Sequence, residues 1–306
     1  MIRGSRREVL TGAAALSLAG SAALAQPAPP PLPFNRQTAI SMGSDAAERM
    51  TAPVWINGKG PFPFLVDTGA DRSAVTRELA AELALPPGGP IRIHGVAGES
   101  MTDSVMADSL LLGDRRFSHY TMPLLLRSNL GAAGLLGVDT LRDQRLTLDV
   151  RHNRMIIEGG RPTWRTPGEV VVTGRSRFGQ LVLVDASIMH EPLLVVLDTG
   201  AEVSIGNRAL RDLFRLNKNG DPSANILSVT GQSTYGDWAL VPEIRVGKVS
   251  VRNLAVVFSD LHSFDVWHLR NEPALLLGMD ALRTFDTVQV DFEQREVRFR
   301  LPPQGI

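Results

Sequence analysis

Two aspartates stand in near-identical company. Asp67 closes the apolar run of "FLVDTGADRS" (64–73), and Asp198 closes that of "VVLDTGAEVS" (195–204), 131 residues further on. Each is followed by Thr and Gly (Thr68-Gly69 and Thr199-Gly200), by Ala, by an acidic residue two beyond the glycine, and by Ser. A carboxylate at the end of a buried strand stands where water is scarce, and the glycine after it permits a sharp turn whose amides point back at the charge. If two such carboxylates meet, they cannot both ionise. One then takes a proton from water while the other donates one, which suits hydrolysis with water as the nucleophile. Taken singly, Asp-Thr-Gly reads equally well as a plain turn, since Asp and Gly favour turns and Thr bonds the local backbone. The second copy with matching flanks is what argues for chemistry.

The elements that must position these residues are duplicated too. Phe64-Leu65-Val66 and Val195-Val196-Leu197 read as strands buried on both faces. Downstream, Thr76 is placed to cap "RELAAELAL" and Asn207 to cap "RALRDLFRL". "SLLLGDRRFSHYTMPLLL" answers to "EIRVGKVSVRNLAVVF", each an alternating pair of strands turning at Gly113 or Gly247. "GLLG" and "LLLG" follow, apolar strands ending in Gly137 and Gly278, whose missing side chains admit another backbone closely. Asp139 and Asp280, two residues later, read as helix N-caps. The offset between copies grows from 131 at the Asp to 134 at the turn glycine and 141 at Leu-Leu-Gly, with the largest insertion in "SDLHSFDVWHLRNEP" (259–273). Two homologous β-rich lobes related by a pseudo-two-fold are expected, with Asp67 and Asp198 brought together on the axis.

The chain has 306 residues, 43% hydrophobic, no net charge and no Cys, so disulfides, thiolate nucleophiles and cysteine metal sites are excluded. Balanced charge gives no sign of nucleic acid as a partner. Six His are scattered without an HExxH, and His262 and His268 are six apart, a poor spacing for one helix face; neither a metal nor a cofactor is expected. Residues 1–25 read as a signal peptide: Arg6-Arg7 resembles a twin-arginine motif, with an ordinary secretory signal or a retained anchor as the alternatives, and an Ala-rich run ends in Ala23-Leu24-Ala25, placing cleavage after Ala25. A proline-rich spacer covers 26–37, the first lobe 38–163 and the second 164–306, joined near "EGGRPTWRTPGE". The expected location is the periplasm or the medium, with no stable membrane insertion once the leader is removed.

The paired "DTGA" motifs, each with an apolar-apolar-Gly partner strand, resemble the retropepsin-like aspartic peptidases over residues 45 to 300. The resemblance implies a mainly β fold of two barrel lobes with short helices, Asp67 and Asp198 as the catalytic pair, and Thr68, Gly69, Thr199, Gly200, Gly137 and Gly278 as their scaffold. It implies that Asp71 and Glu202 grip the substrate backbone, Glu202 being a departure from the retroviral Asp. It also implies glycine-rich hairpins over the site, matched by "IHGVAGES" with Gly95 and Gly98 and by "SVTGQSTYG" with Gly231 and Gly236; both stretches also read as plain connections. Ala70 and Ala201, where pepsin-like relatives carry Ser or Thr, set the chain apart from that branch. The implied activity is an endopeptidase acting as a monomer on a peptide or protein. The alternatives are a non-catalytic peptide-binding module on the same fold and a dimer with sites between chains.

Overall fold

The apolar run before Asp67 is buried because it is flanked on both edges. Strand Lys59–Val66 pairs antiparallel with Met50–Ile56 and parallel with Gly134–Leu136, and Phe64, Leu65 and Val66 are almost inaccessible. The computed structural model describes residues 37–41, 43–44, 50–95, 98–141, 144–152, 154–159, 168–177, 180–183, 185–214 and 223–302. The expected leader, most of the proline-rich spacer and most of the expected linker lie outside the described residues.

From Lys59–Val66 the ladder runs through Gly134–Leu136, Ala74–Thr76, Arg115–Leu125 and Gly98–Leu112, and returns to Met50–Ile56 through Val54↔Leu112 and Ile56↔Leu110. Six strands thus close a barrel. The second lobe repeats the circuit through Leu194–Leu197, Ala274–Leu277, Ser204–Gly206, Val249–Phe258 and Ser233–Val246. Here the work of Met50–Ile56 is divided: Gln180–Leu183 pairs with Leu194–Leu197, while Ala186–Ile188 pairs with Ser233–Val246. The long hairpins turn at Gly113 (φ 62°) and Gly247 (φ 58°), where a left-handed backbone favours glycine. The molecule is mainly β, two barrel lobes with a few short helices. Among the described residues no helix is long and apolar enough to cross a membrane.

A run of six strands joins the lobes, in the order Gln37–Ser41, Arg154–Gly159, Gln144–Asp149, Thr287–Asp291, Glu296–Arg300 and Glu169–Arg177, and continues into Gln180–Leu183 of the second lobe. Its centre is symmetric. Thr147 lies opposite Gln289, its own counterpart, while Arg145 lies opposite Asp291 and Asp149 opposite Thr287. Leu146, Leu148, Val288 and Val290 from this sheet belong to one buried core shared with both barrels. The two strands that carry the aspartates end side by side, their following loops bonded to one another.

Helix starts follow local chemistry. The Thr76 hydroxyl accepts from Leu79 N at 3.3 Å ahead of helix Arg77–Glu82, and Asn207 Oδ1 accepts from Leu210 N at 2.9 Å ahead of helix Arg208–Asp212. The lobes differ most after their second hairpin. Eight residues (126–133) lead from Arg115–Leu125 to Gly134–Leu136, whereas fifteen (259–273) lead from Val249–Phe258 to Ala274–Leu277. The longer crossover carries helix His262–Val266 and buries Leu261, Phe264, Trp267 and Leu269 in a core of their own.

Candidate active site

Asp67 and Asp198 meet where the two barrels abut. Gly69 N donates to Asp67 Oδ1 at 2.8 Å, and Gly200 N and Ala201 N donate to Asp198 Oδ1 at 3.0 and 3.1 Å. Each carboxylate also lies on the other lobe's glycine. A Cβ built on Gly200 would stand 2.3 Å from Asp67 Cγ, and one on Gly69 would stand 2.7 Å from Asp198 Cγ. Neither glycine has a positive φ, so close approach, rather than backbone freedom, excludes a side chain here. Burial first, and the Asp198 carboxylate second, hold the Asp67 carboxyl well above the usual carboxylate range, against the pull of the Gly69 and Ala70 amides.

Thr68 and Thr199 lash the two loops together. The Thr68 hydroxyl donates to the Leu197 carbonyl at 2.8 Å and the Thr199 hydroxyl to the Val66 carbonyl at 2.6 Å. Each hydroxyl in turn accepts the other threonine's amide, at 3.0 and 3.2 Å. Both side chains are buried, so the bonds exchange groups that have no water to turn to.

Gly137 and Gly278 lie beneath the turns. A Cβ on Gly137 would meet the Arg72 backbone at 2.6 Å, and one on Gly278 the Val203 backbone at 2.7 Å. Asp139 and Asp280 are not the N-caps that their positions lead one to expect. They sit inside helices Val138–Leu141 and Met279–Leu282, the second capped by Gly278 without a side-chain bond. Their carboxylates instead cross to the serine that ends each motif. Asp139 accepts from Ser73 N at 3.0 Å and from its hydroxyl at 2.8 Å; Asp280 accepts from Ser204 N at 3.0 Å and from its hydroxyl at 2.7 Å. Each serine hydroxyl also accepts from the nearby glycine, Gly137 N at 2.9 Å and Gly278 N at 3.0 Å. The local rule fails because pairing with a buried serine supplies two bonds where a cap supplies one. Sequence reasoning could have found it, since both partners recur at matched positions in the two halves. Tyr120 has no such duplicate: its hydroxyl donates to Asp139 Oδ2 at 2.6 Å, and burial and then the Asp139 charge push the phenol above its ordinary range.

The acidic residues after the motifs part company. Asp71 lines a cavity of about 150 Å³ beside Gly69, Ala70 and Arg72, and Oδ1 of Asp71 accepts from the buried Gln180 Nε2 at 3.0 Å. Gln180 also donates to the Gly69 carbonyl at 3.2 Å, an anchor with no sequence signal. Glu202 is exposed and is not among that cavity's lining residues; its carbonyl accepts from Asp280 N at 3.1 Å.

Two hairpins lean over the site. Gly95 pairs with Gly98 at the end of the hairpin Pro87–Gly95/Gly98–Leu112. A Cβ on Gly95 would strike the Ser228 and Thr230 hydroxyls at 2.8 Å each, so this end abuts the Ser228–Gln232 turn of the second hairpin. Gly231 in that turn has φ 84° and faces Asn129 of the first lobe, whereas Gly236 lies within strand Ser233–Val246, away from the turn. Ile93 and Val229, one from each hairpin, pack against the buried cluster that holds Leu65, Leu125 and Leu135, and line the cavity with Leu125 and Leu135.

A family sequence model described as aspartyl protease matches this chain twice, over residues 52–140 and 184–281, together well over half its length. The chain belongs to the aspartyl protease family. No curated protein matches it. The two matched segments each contain one Asp-Thr-Gly-Ala motif and its Leu-Leu-Gly strand, so this aspartyl protease carries both family units in one chain, and peptide hydrolysis is its general activity. Among the described residues no group of three or more His, Cys, Asp or Glu is arranged to hold a metal ion.

Proposed function

We propose that the protein is an exported, single-chain aspartic endopeptidase in which Asp67 and Asp198 share one proton and one water. The observation that carries this reading is reciprocal: each carboxylate packs on the other lobe's motif glycine, so the two acids form one site. The shared proton rests on Asp67, whose ionisation is opposed by burial and by its neighbour. Asp198, with two amides on Oδ1, is the base that deprotonates the water, while Asp67 protonates the scissile carbonyl. The roles then exchange to release the amine. Asp71, braced by Gln180, is the group placed to hold substrate backbone, and the two hairpins, with Gly95, Gly98 and Gly231, cover the peptide.

The test is Asp67→Asn and Asp198→Asn, each assayed on a peptide library with cuts mapped by mass spectrometry. Each is expected to lose nearly all turnover while staying folded, because one proton shared by two acids needs both. Substantial turnover by either variant would refute the shared site. No turnover in the parent protein would favour a binding module. Both units stand in cis, so activity per chain should survive dilution; loss of activity alongside a dimer-to-monomer transition would favour sites between chains. Export rests on Arg6-Arg7 and on Ala23-Leu24-Ala25. Arg6→Lys with Arg7→Lys should hold the precursor inside the cell, and normal secretion of that variant would argue against the twin-arginine route.

A further inference from the structure

The first hairpin is tied to the second lobe by two histidines. His94 Nδ1, on strand Pro87–Gly95, lies 3.1 Å from His262 Nε2, at the start of the helix in the long 259–273 crossover. The ring planes are 20° apart and the ring centres 5.4 Å apart. That separation equals the 3.1 Å contact plus one ring radius at each end, so the imidazoles lie end to end with their nitrogens facing, not face over face. Facing nitrogens bond when one carries a proton and the other a lone pair. Two neutral rings satisfy this, and so does one imidazolium against one neutral ring. Two imidazoliums do not: two N–H groups then face each other and two positive charges stand at contact distance.

We infer that His94 and His262 are positioning residues that form a proton-sensitive latch, seating the first hairpin over the cleft near neutral pH and releasing it once both rings are protonated. Imidazole is the side chain that changes charge between about pH 5 and 8, and this pair is open to solvent. The charges around it are already engaged. On the hairpin, Glu99 lies opposite His94 in the ladder and pairs with Arg92 at 3.6 Å, and Asp103 pairs with Arg77 at 3.5 Å. On the crossover, Asp265 is held by Arg270 at 2.8 Å, with Asp260 at 3.9 Å from the same guanidinium. In the cavity below, Arg72 stands beside Asp71, which is held by Gln180. The third element at this point, the Ser228–Gln232 turn, presents uncharged hydroxyls. Each of these carboxylates thus has a partner already, which leaves less negative charge to receive a second imidazole proton.

The latch joins two lips of one cavity, Ile93 and His94 on the hairpin, and Val266 and Trp267 on the crossover. Release lifts the apolar roof from Leu125 and Leu135, so binding of an apolar substrate side chain weakens. This consequence rests on the peptidase reading; the latch itself does not. The experiment is hydrogen exchange of the 87–112 amides in the mature chain at pH 7.5 and 5.0, corrected for intrinsic rates. The parent is compared with the His94→Gln/His262→Gln and His94→Ala/His262→Ala pairs. Parent protection should fall about tenfold between the two pH values, the cost of one hydrogen bond plus a like-charge contact near the surface. Two amides bond at either pH, so the Gln pair should keep its protection, and the Ala pair should lack it throughout. Equal protection of the parent at both pH values, or an equal loss in the Gln pair, would overturn the latch. In a peptidase assay, the ratio of parent KM to Gln-pair KM should rise several-fold at pH 5.0 with the kcat ratio little changed. A flat KM ratio alongside the expected exchange result would leave a latch that does not position substrate, and would overturn that role alone.

Discussion

Thr68 and Thr199 each give a hydroxyl proton to the other loop's backbone and take an amide proton in return, at distances of 2.6 to 3.2 Å. The exchange locks two lobes at the level of the acids they carry, so its loss should be felt in stability as well as in turnover. Thr199→Val leaves the Thr68 amide and the Val66 carbonyl buried without partners. It should lower the unfolding free energy by about 2 to 4 kcal/mol, whereas Thr199→Ser should cost less than about 1 kcal/mol. Urea unfolding of both variants decides this, and equal effects would show that packing of the methyl group matters more than the bonds.

The raised Asp67 carboxyl makes a prediction about stability against pH. A group whose native pKa lies above its unfolded value favours the folded state while protonated, and that contribution fades as pH rises through the native value. An asparagine in its place cannot ionise. The Asp67→Asn protein should therefore match the parent near pH 3 and become the more stable of the two towards pH 7. Thermal melts across that range test it, and a gap that widens towards acid pH would contradict the sign.

The same burial shapes the rate profile. We expect kcat/KM to be bell-shaped and centred at roughly pH 4 to 6. Serine at positions 70 and 201 would add a hydroxyl able to bond the ionised form, which lowers a pKa. Ala70→Ser with Ala201→Ser should move the acid limb down by about one unit, one charge-assisted bond being worth about 1.5 to 3 kcal/mol at most. An acid limb that stays in place, or rises, would show that this position does not set the acidity of the pair.

Asp139 holds Ser73 and Tyr120, whereas Asp280 holds Ser204 alone of that set. Asp139→Ala should therefore destabilise more than Asp280→Ala, by about 1 kcal/mol or more for the abandoned phenol. Paired denaturant titrations, repeated on a Tyr120→Phe background, should erase the difference.

What is legible in the sequence is what each half repeats locally. The strand before each Asp, the caps at Thr76 and Asn207, and the hairpin turns at Gly113 and Gly247 all follow from short-range chemistry and recur at matched positions. Asp139 and Asp280 mislead because an acid beside a helix start looks like a cap until the buried serine opposite is known. Gln180 against Asp71 and His94 against His262 have no signal at all: the partners lie 109 and 168 residues apart, neither pair is duplicated among the described residues, and only the assembled lobes bring them together.

The sheet that joins the lobes makes one half depend on the other. Arg145 reaches across the axis to Asp291, both nearly inaccessible, while the counterpart of Arg145 in the second half is Thr287, which lies opposite Asp149. A first half pairing with its own copy in this register would set Arg145 against Asp149 on both sides and leave neither charge alone. A second half doing the same would set Asp291 against Thr287 twice, stranding two acids in the core at a cost of several kcal/mol. The second half thus depends on the first for a buried cation, and separate expression of the halves should yield a first half able to pair with its own copy and a second half that is not.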